Sequence, residues 1–360
     1  MYKALFTADW HLSNSWPYAV PDENGITDRF KDQLNMIEQI GAIAEAEEVD
    51  AIFILGDLFD KSILDAITLQ YALAAIMQLA EATTVYILPG NHDAKNSKAQ
   101  HYAVDFFSRL EDKTDISILG SDNVAMVVTG EAVFHSIPWM PIDKTNEAIS
   151  QIQFDKKLTN VVLLHQSVIG CRLNGSWVAD EGIDASKFGD HIYLAGHFHS
   201  PQEFNHGMYV GAPMQKDFGD AGEERRVIIG RFSNGKVEFD DRSIEAPKFY
   251  SYKFSNDSYD LVNPELKDGD YLRVQVESTH AVYKTRLEEA KEACSTYQKI
   301  GVHLFYQHIP VSDHSVRLKT NGPTNYVEAM KEYIKISNTE LDKKQLANVG
   351  KKLLEGVQNA

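Results

Sequence analysis

Five short stretches of this chain carry residue types that bind metal ions, and each follows an apolar run of strand character. They are Asp9-Trp10-His11, Gly56-Asp57-Leu58-Phe59-Asp60, Gly90-Asn91-His92-Asp93, His165-Gln166 and Gly196-His197-Phe198-His199. Asp9 and His11 are two apart, as are His197 and His199. In an extended backbone such residues point to the same side, so their ligand atoms can converge on one cation. Asp57 can serve two cations, because its two oxygens face in different directions. Asn91 adds a neutral carbonyl oxygen and His165 a further imidazole. This mixed oxygen and nitrogen set excludes a thiolate zinc cluster. It suits Mn, Fe or Zn, and Mg less well with so many imidazoles. In a pair of metals about 3.5–4 Å apart, a bridging water is acidified and both oxygens of an in-line phosphoryl displacement are stabilised. The expected arrangement is a two-metal phosphoesterase site with Asp57 as the bridging carboxylate. His92 follows the ligand Asn91 and stays off the metals, free to steer the phosphate or protonate the leaving oxygen. Asp93 is expected to hold the His92 ring in one orientation.

Each piece alone has a plainer explanation. Asp-x-His is commonly a turn pair, and Gly-Asn-His-Asp is ordinary turn chemistry. A lone His197 or His199 would more often be a satisfied core or surface histidine. The joint occurrence of all five, in order and at strand ends, points to chemistry. The remaining histidines, His101, His135, His191, His206, His280, His303, His308 and His314, take the plainer role, structural or solvated.

The elements that must position these residues are legible in the hydrophobic pattern. Lys3 to Ala8 is strand-like and delivers Asp9 and His11. Residues 12–26 form a polar loop with Pro17, Pro21 and Gly25 that is placed to line the mouth of the site. Asp28 to Glu48 has helical periodicity through Phe30, Leu34, Ile37, Ile40 and Ala44. Ala51 to Leu55 is a buried strand ending at Gly56-Asp57, the usual place for a ligand in an α/β sheet. Leu64 to Ala82 is a second amphipathic helix, and Thr84 to Leu88 a third strand stopped by Pro89-Gly90. This βαβαβ alternation predicts a mostly parallel sheet covered by helices.

The middle of the chain is richer in strands. Val124 to Thr129 and Ala132 to Ile137 read as a hairpin around Gly130-Glu131. Val161 to Leu164 ends at His165, and Ile192 to Ala195 at Gly196-His197. Met208 to Val210, Arg226 to Phe232 and Val237 to Phe239 continue the sheets. Two sheets packed as a sandwich and flanked by helices is the expected architecture. A boundary is placed near Glu245-Ala246-Pro247. Beyond it, a strand at Tyr271–Val276, a helix at Ala281–Tyr297 and a strand at Val302–Tyr306 form a smaller α/β unit. Asn325 to Val357 is helical, broken near Ser337-Asn338, with Asn338 in cap position for the last helix.

With 360 residues the chain can bury a large core and hold more than one domain. It has no apolar segment long enough to span a bilayer, and its start runs straight into a strand rather than a signal peptide. Cys171 and Cys294 lie far apart, which argues against a disulfide framework and fits a reducing cytoplasm. The formal charge of −17 argues against binding nucleic acid through the overall field. Binding to DNA would have to rest on a local site or on a partner that supplies basic surface.

In this order, the motifs Asp9-x-His11, Gly56-Asp57, Gly90-Asn91-His92, His165 and Gly196-His197-x-His199 resemble the signature of the calcineurin-like metallophosphoesterases. Within that superfamily the likeness is to the nuclease subunit of SbcCD-type DNA repair and recombination complexes, including bacteriophage versions. Leu58-Phe59-Asp60, Ile137-Pro138-Trp139-Met140 and Tyr209-Val210-Gly211-Ala212-Pro213 carry that finer likeness, which covers about residues 1–232 and thins beyond.

The resemblance implies an α/β fold, a four-layer metallophosphoesterase sandwich of two mixed β-sheets flanked by helices. It implies a nuclease domain at 1–246, a small α/β DNA-capping domain at 247–320 and C-terminal helices at 321–360 that bind an ATPase. By position, Asp9, His11, Asp57 and His199 would hold one metal, and Asp57, Asn91, His165 and His197 the other, with His92 as the catalytic histidine. The cofactors implied are two divalent ions, manganese foremost, with Mg, Fe or Zn as alternatives. The implied activity is exonuclease on double-stranded DNA and endonuclease on single strands and hairpins, in repair, recombination or replication. The implied partners are DNA and an SbcC-type ATPase, around a homodimer within a heterotetramer, in the cytoplasm (the host's, if phage-encoded). Some family members carry His where Asp60 stands, so Asp60 is given no catalytic role. The same site could serve a protein phosphatase or a small-molecule phosphodiesterase, or survive in a non-catalytic scaffold. Residues 247–360, which the small-substrate enzymes usually lack, discriminate against those enzymes, and the intact ligand set argues against the scaffold.

Overall fold

A computed structural model of the chain describes residues 1–16, 18–120, 124–174, 177–254, 266–310, 330, 333–334 and 342–358. The first part folds as β1 (Tyr2–Thr7), α1 (Asp28–Ala46), β2 (Ala51–Leu55), α2 (Ala66–Ala82) and β3 (Thr84–Leu88). A 3-10 turn at Ala103–Arg109 and the short β4 (Ile116–Ile118) follow. The middle adds β5 (Ala125–Val128), β6 (Ala132–Ile137), α3 (Ile142–Gln151), β7 (Thr159–His165), β8 (Arg172–Asn174) and β9 (Trp177–Val178). It continues with β10 (Ile192–Gly196), β11 (Gln202–Phe204), β12 (Gly207–Tyr209), β13 (Arg226–Ser233) and β14 (Lys236–Ser243). The remainder carries β15 (Phe249–Phe254), β16 (Tyr271–Ser278), α4 (Tyr283–Ala293), α5 (Ser295–Lys299), β17 (His303–Pro310) and α6 (Lys343–Gln358).

Two six-stranded mixed sheets result. The first runs β14-β13-β1-β2-β3-β4, and the second β11-β12-β10-β7-β6-β5. In the first, β1 pairs in parallel with β2 and antiparallel with β13. Side chains alternate across each strand, and the alternation builds the layers. On β1 and β2, Ala4, Phe6, Ala51, Phe53 and Leu55 enter the core between the sheets, while Leu5, Ile52 and Ile54 meet the helices. On β7, Val161 and Leu163 face the inner core, and Val162 and Leu164 face the opposite outer layer. Phe53 packs against Phe6 at 5.3 Å and Phe134 at 4.7 Å between ring centres, closing the sandwich with aromatic contacts from both sheets. Helices α1 and α2 cover one outer face through Phe30, Met36, Ile37, Ile40, Ala72, Ile76 and Leu79. The four layers are those expected from the sequence.

Local chemistry fixes the helix starts. Thr27 caps α1 by accepting from the Phe30 amide. Asp65 caps α2 by accepting from Ile67 and Thr68, so this helix begins at Ala66 rather than Leu64. The hairpin around Gly130-Glu131 forms as β5 paired antiparallel with β6. The single helix expected at Ala281–Tyr297 is instead two, α4 and α5. β4, α3, the β8–β9 hairpin and β15 are additions that the hydrophobic pattern did not reveal. The expected break near Ser337-Asn338 lies outside the described residues.

The chain divides into two units. One comprises Met1–Ser251, Pro264–Arg273 and Tyr297–Phe305, the other Tyr252–Asn263, Val274–Thr296 and Tyr306–Ala360. In the first, Tyr271 stacks on Phe249 at 4.5 Å and on His303 at 4.6 Å. In the second, the Arg286 guanidinium lies 4.9 Å from the centre of the Phe254 ring. Cys171 and Cys294 are buried thiols. Among the described residues no helix is long and apolar enough to cross a membrane.

The strand ends approach so closely that only glycine fits between them. A Cβ on Gly90 would lie 2.2 Å from the Asp57 amide nitrogen, and one on Gly196 would lie 2.0 Å from the Leu55 carbonyl oxygen. Gly90→Ala should therefore cost about 1–3 kcal/mol or more, as overpacking does. Gly130→Ala, with open space around it, should stay within about 0.5 kcal/mol of the wild type. Urea unfolding of the two variants checks the contrast.

Candidate metal centre

The loops after β1, β2, β3, β7 and β10 meet at one end of the sandwich. The turn after β1 runs along the turn after β2, with the Asp9 amide donating to Gly56 O at 3.0 Å and the His11 amide to Asp57 O at 3.0 Å. The chain reverses sharply here. Asp9, His11, Asp57 and His197 all take positive φ, at 56°, 47°, 51° and 102°, a costly conformation outside glycine. Buried Gln33 on α1 braces the first turn, donating to Trp10 O at 3.1 Å and His11 O at 2.8 Å. Asp93 braces the others. Its carboxylate accepts from the amides of Gly90 at 2.9 Å, Phe59 at 3.0 Å and Leu58 at 3.3 Å. That corrects the expectation that Asp93 holds the His92 ring, for its oxygens are committed to main-chain amides.

Among the described residues, three groups of side chains converge between these turns. Ligand atoms of Asp9, His11 and His199 lie within 4.8 Å of one another, and so do those of Asp57, His165 and His197, while His11, Asp60 and His92 form a third such group. In the first, Nε2 of His11 faces Nε2 of His199 at 3.0 Å. In the second, Asn91 Oδ1 is 3.0 Å from Nε2 of His165 and 2.7 Å from Nδ1 of His197. Asp57 stands between the first two groups, its Oδ2 3.3 Å from Nε2 of His165 and 3.7 Å from Nε2 of His11. Its other oxygen accepts from the His92 amide at 2.7 Å. One carboxylate oxygen therefore faces both groups, where the sequence suggested one oxygen for each. Asp9 accepts from the His197 amide, at 3.0 Å to Oδ1.

Every convergent ring is held from behind. Nδ1 of His11 faces Asp60 Oδ1 at 3.5 Å, and Nδ1 of His165 donates to Leu55 O at 2.7 Å. Nε2 of His197 is 3.0 Å from Ser167 Oγ, and Nδ1 of His199 is 3.4 Å from Asp220 Oδ2. A carbonyl can only accept, so Nδ1 of His165 carries a proton and Nε2 is the nitrogen turned inward, toward Asp57. This is how metal-binding histidines are oriented, with the far nitrogen on a carboxylate, carbonyl or hydroxyl. The residues present fit two cations that share Asp57.

Burial and charge set the protonation states. Burial alone would raise the Asp57 carboxyl, but the charge and hydrogen bond of His165 hold it well below the usual range. Burial pushes His11 down to about 3, and His197 likewise to about 3. Both are therefore neutral bases. Burial also lowers His165, yet Asp57 outweighs it and lifts the ring to about 9. His92 lies edge-on to His11, 4.6 Å between ring centres. Its Nδ1 donates to Asp60 O at 2.7 Å, so Nε2 is the nitrogen left for another partner.

Asp60, Ser167, Lys216, Asp220 and Gln33 contribute to the centre although none was singled out for this from the sequence. Only Asp60 carried a signal, by trailing Gly56-Asp57. His135 and Tyr102 have structural partners, Asn160 Oδ1 at 3.1 Å and the Trp139 carbonyl.

Comparison with known proteins adds the family. The model described as Calcineurin-like phosphoesterase matches residues 2–201. The chain is 27% identical over 273 residues to protein 078R of Invertebrate iridescent virus 3, whose name assigns it provisionally to the phosphoesterases, covering 74% of each. It is 28% identical over 204 residues to the DNA double-strand break repair protein Mre11 of Saccharolobus solfataricus, covering 56% of this chain and 50% of that one. It is 25% identical over 268 residues to a subunit of the nuclease SbcCD of Staphylococcus saprophyticus, covering 65% of this chain and 67% of that one. The family match takes in more than half of the chain and every turn that carries a clustered side chain, so this protein belongs to the calcineurin-like phosphoesterases.

Proposed function

We propose that the chain is a manganese-dependent DNA nuclease that hydrolyses phosphodiester bonds at two metals and works with an SbcC-type ATPase. The supporting observation is the pair of side-chain groups that face a single oxygen of Asp57, with each imidazole fixed from behind. Asp9, His11, Asp57 and His199 would hold one cation, and Asp57, Asn91, His165 and His197 the other. When bound, the metal pair supplies an acidified water and stabilises charge on the phosphoryl oxygens during in-line displacement. Neutral His11 and His197 and ionised Asp57 are the protonation states that ligation requires, and His165, held protonated beside Asp57, would release its Nε2 proton as the metal binds. The Asp60 carbonyl keeps the Nδ1 proton of His92 in place. Nε2 is then the atom that contacts the phosphate or carries a proton to the leaving oxygen.

DNA as substrate is supported by the names of two relatives, a double-strand break repair protein and a nuclease subunit. The net charge of −17 then requires the ATPase to supply most of the phosphate-binding surface. In this reading residues 247–320 orient DNA, residues 321–360 dock on the ATPase, and the assembly is a nuclease homodimer within a cytoplasmic heterotetramer. The acidic charge also favours a second reading, hydrolysis of small phosphodiesters or phosphoproteins, whose substrates need no extended basic surface.

Manganese should bind at two sites and raise the unfolding free energy by about 2.7 kcal/mol per site at a hundredfold excess over Kd. In Asp57→Ala both sites should weaken, and in Asn91→Ala only one, as read by isothermal titration and thermal shift. On end-labelled duplex DNA with manganese and the ATPase partner, His92→Ala should lose about 10²–10⁴ in rate while keeping its metal, and Asp57→Ala should be inactive. A wild type that takes up two metals and cleaves small phosphodiesters, yet cuts no DNA with or without the partner, would establish the second reading.

A further inference from the structure

Lys216 lies on the loop after β12, outside every motif that the sequence displays. Its ammonium is 2.9 Å from Asp60 Oδ1 and 3.3 Å from Nδ1 of His11. Asp60 Oδ1 is itself 3.5 Å from that nitrogen. An ammonium has three donors and no acceptor, so it cannot receive an imidazole N–H, whereas a carboxylate can. Of these two groups, only Asp60 can hold a proton on Nδ1 of His11. Only a neutral ring protonated there offers Nε2 as a ligand.

The main chain of the same residue serves a second histidine. The Lys216 amide donates to Asp220 Oδ2 at 2.7 Å, and that oxygen faces Nδ1 of His199 at 3.4 Å. His11 and His199 are the two rings whose Nε2 atoms meet. Lys216 is anchored in turn. Its carbonyl accepts from the Tyr18 hydroxyl, and its ammonium lies 5.5 Å from the centre of the Trp16 ring.

We propose that Lys216 is a positioning residue for this centre, its ammonium seating the Asp60 carboxylate behind His11 while its amide seats Asp220 behind His199. The role rests on the metal centre proposed above. A lysine that merely balanced charge would leave the proton of His11 as well protected without it as with it. Positioning predicts otherwise, and a spectroscopic signature separates the two.

The experiment uses the full chain, labelled with ¹⁵N-histidine and loaded with diamagnetic Zn²⁺, and follows solvent exchange of the Nδ1–H protons of His11 and His165 by NMR. His165 is the internal reference, because its Nδ1 bonds to Leu55 O without help from Lys216. In Lys216→Met the His11 proton should exchange about tenfold faster or more, the factor set by loss of a charge-assisted hydrogen bond. The His165 proton should be unchanged. Lys216→Arg should restore most of the protection, since a guanidinium also holds a carboxylate. Lys216→Leu, which removes the same ammonium if Lys216→Met does not fold, should likewise expose His11 alone. Unchanged exchange at His11 with two Zn²⁺ bound would overturn the role, as would equal acceleration at His11 and His165. A wild type that takes up no Zn²⁺ would overturn the metal centre and this role with it.

Discussion

The structure depends on keeping one carboxylate ionised in the interior. Asp57 is 2% exposed, and a carboxyl alone in such a place would take up a proton rather than stay charged. It stays charged because its neighbours meet both oxygens, the His92 amide on one and the protonated His165 ring on the other, with the His11 ring beside it. Those rings need partners of their own, which Leu55, Asp60 and then Lys216 provide. The polar network thus spreads outward from a single charge until it reaches partly exposed side chains. The two-sheet sandwich is the scaffold that brings the contributors together, with Asp9, Asp57 and Asn91 following strands of the first sheet and His165 and His197 at strands of the second.

The backbone carries the cost of this convergence. Four non-glycine residues at the centre adopt positive φ, each at roughly 1–3 kcal/mol. Such turns reverse the chain directly after a strand and swing the next side chain back over the sheet end. They persist because the surroundings over-determine them. Asp93 gathers three amides, Gln33 gathers two carbonyls, and the aromatic layer of Phe6, Phe53, Phe134 and Phe232 fixes the strands beneath.

Much of this was legible in the sequence, for physical reasons. The central strands are buried on both faces, so they appear as uninterrupted apolar runs, and the convergent side chains stand directly at their ends. The two-residue spacing of Asp9 with His11 marks a pair that does converge, though through positive-φ turns rather than the expected extended backbone, whereas His197 and His199 part to different groups. The supporting residues are different in kind. His11 and Lys216 are 205 positions apart, and nothing local to either signals the other. Asp93 was paired with His92 because they are neighbours in sequence, but a buried carboxylate among free turn amides is drawn to the amides. Buried polar residues such as Gln33 escape an analysis based on hydrophobic periodicity, because their burial follows from the loop they brace.

Strand β1 lies inside its sheet, flanked by β2 on one side and β13 on the other. During synthesis the amino-terminal half therefore emerges long before its antiparallel neighbour exists. Asp9, His11, Asp57 and Asn91 are available early, yet the imidazoles of His165, His197 and His199 and the bracing Lys216 come from later segments. A ribosome-bound chain holds four of these seven convergent side chains until the second sheet has been made. The order of the strands thus makes the cluster of side chains one of the last features of the molecule to be completed.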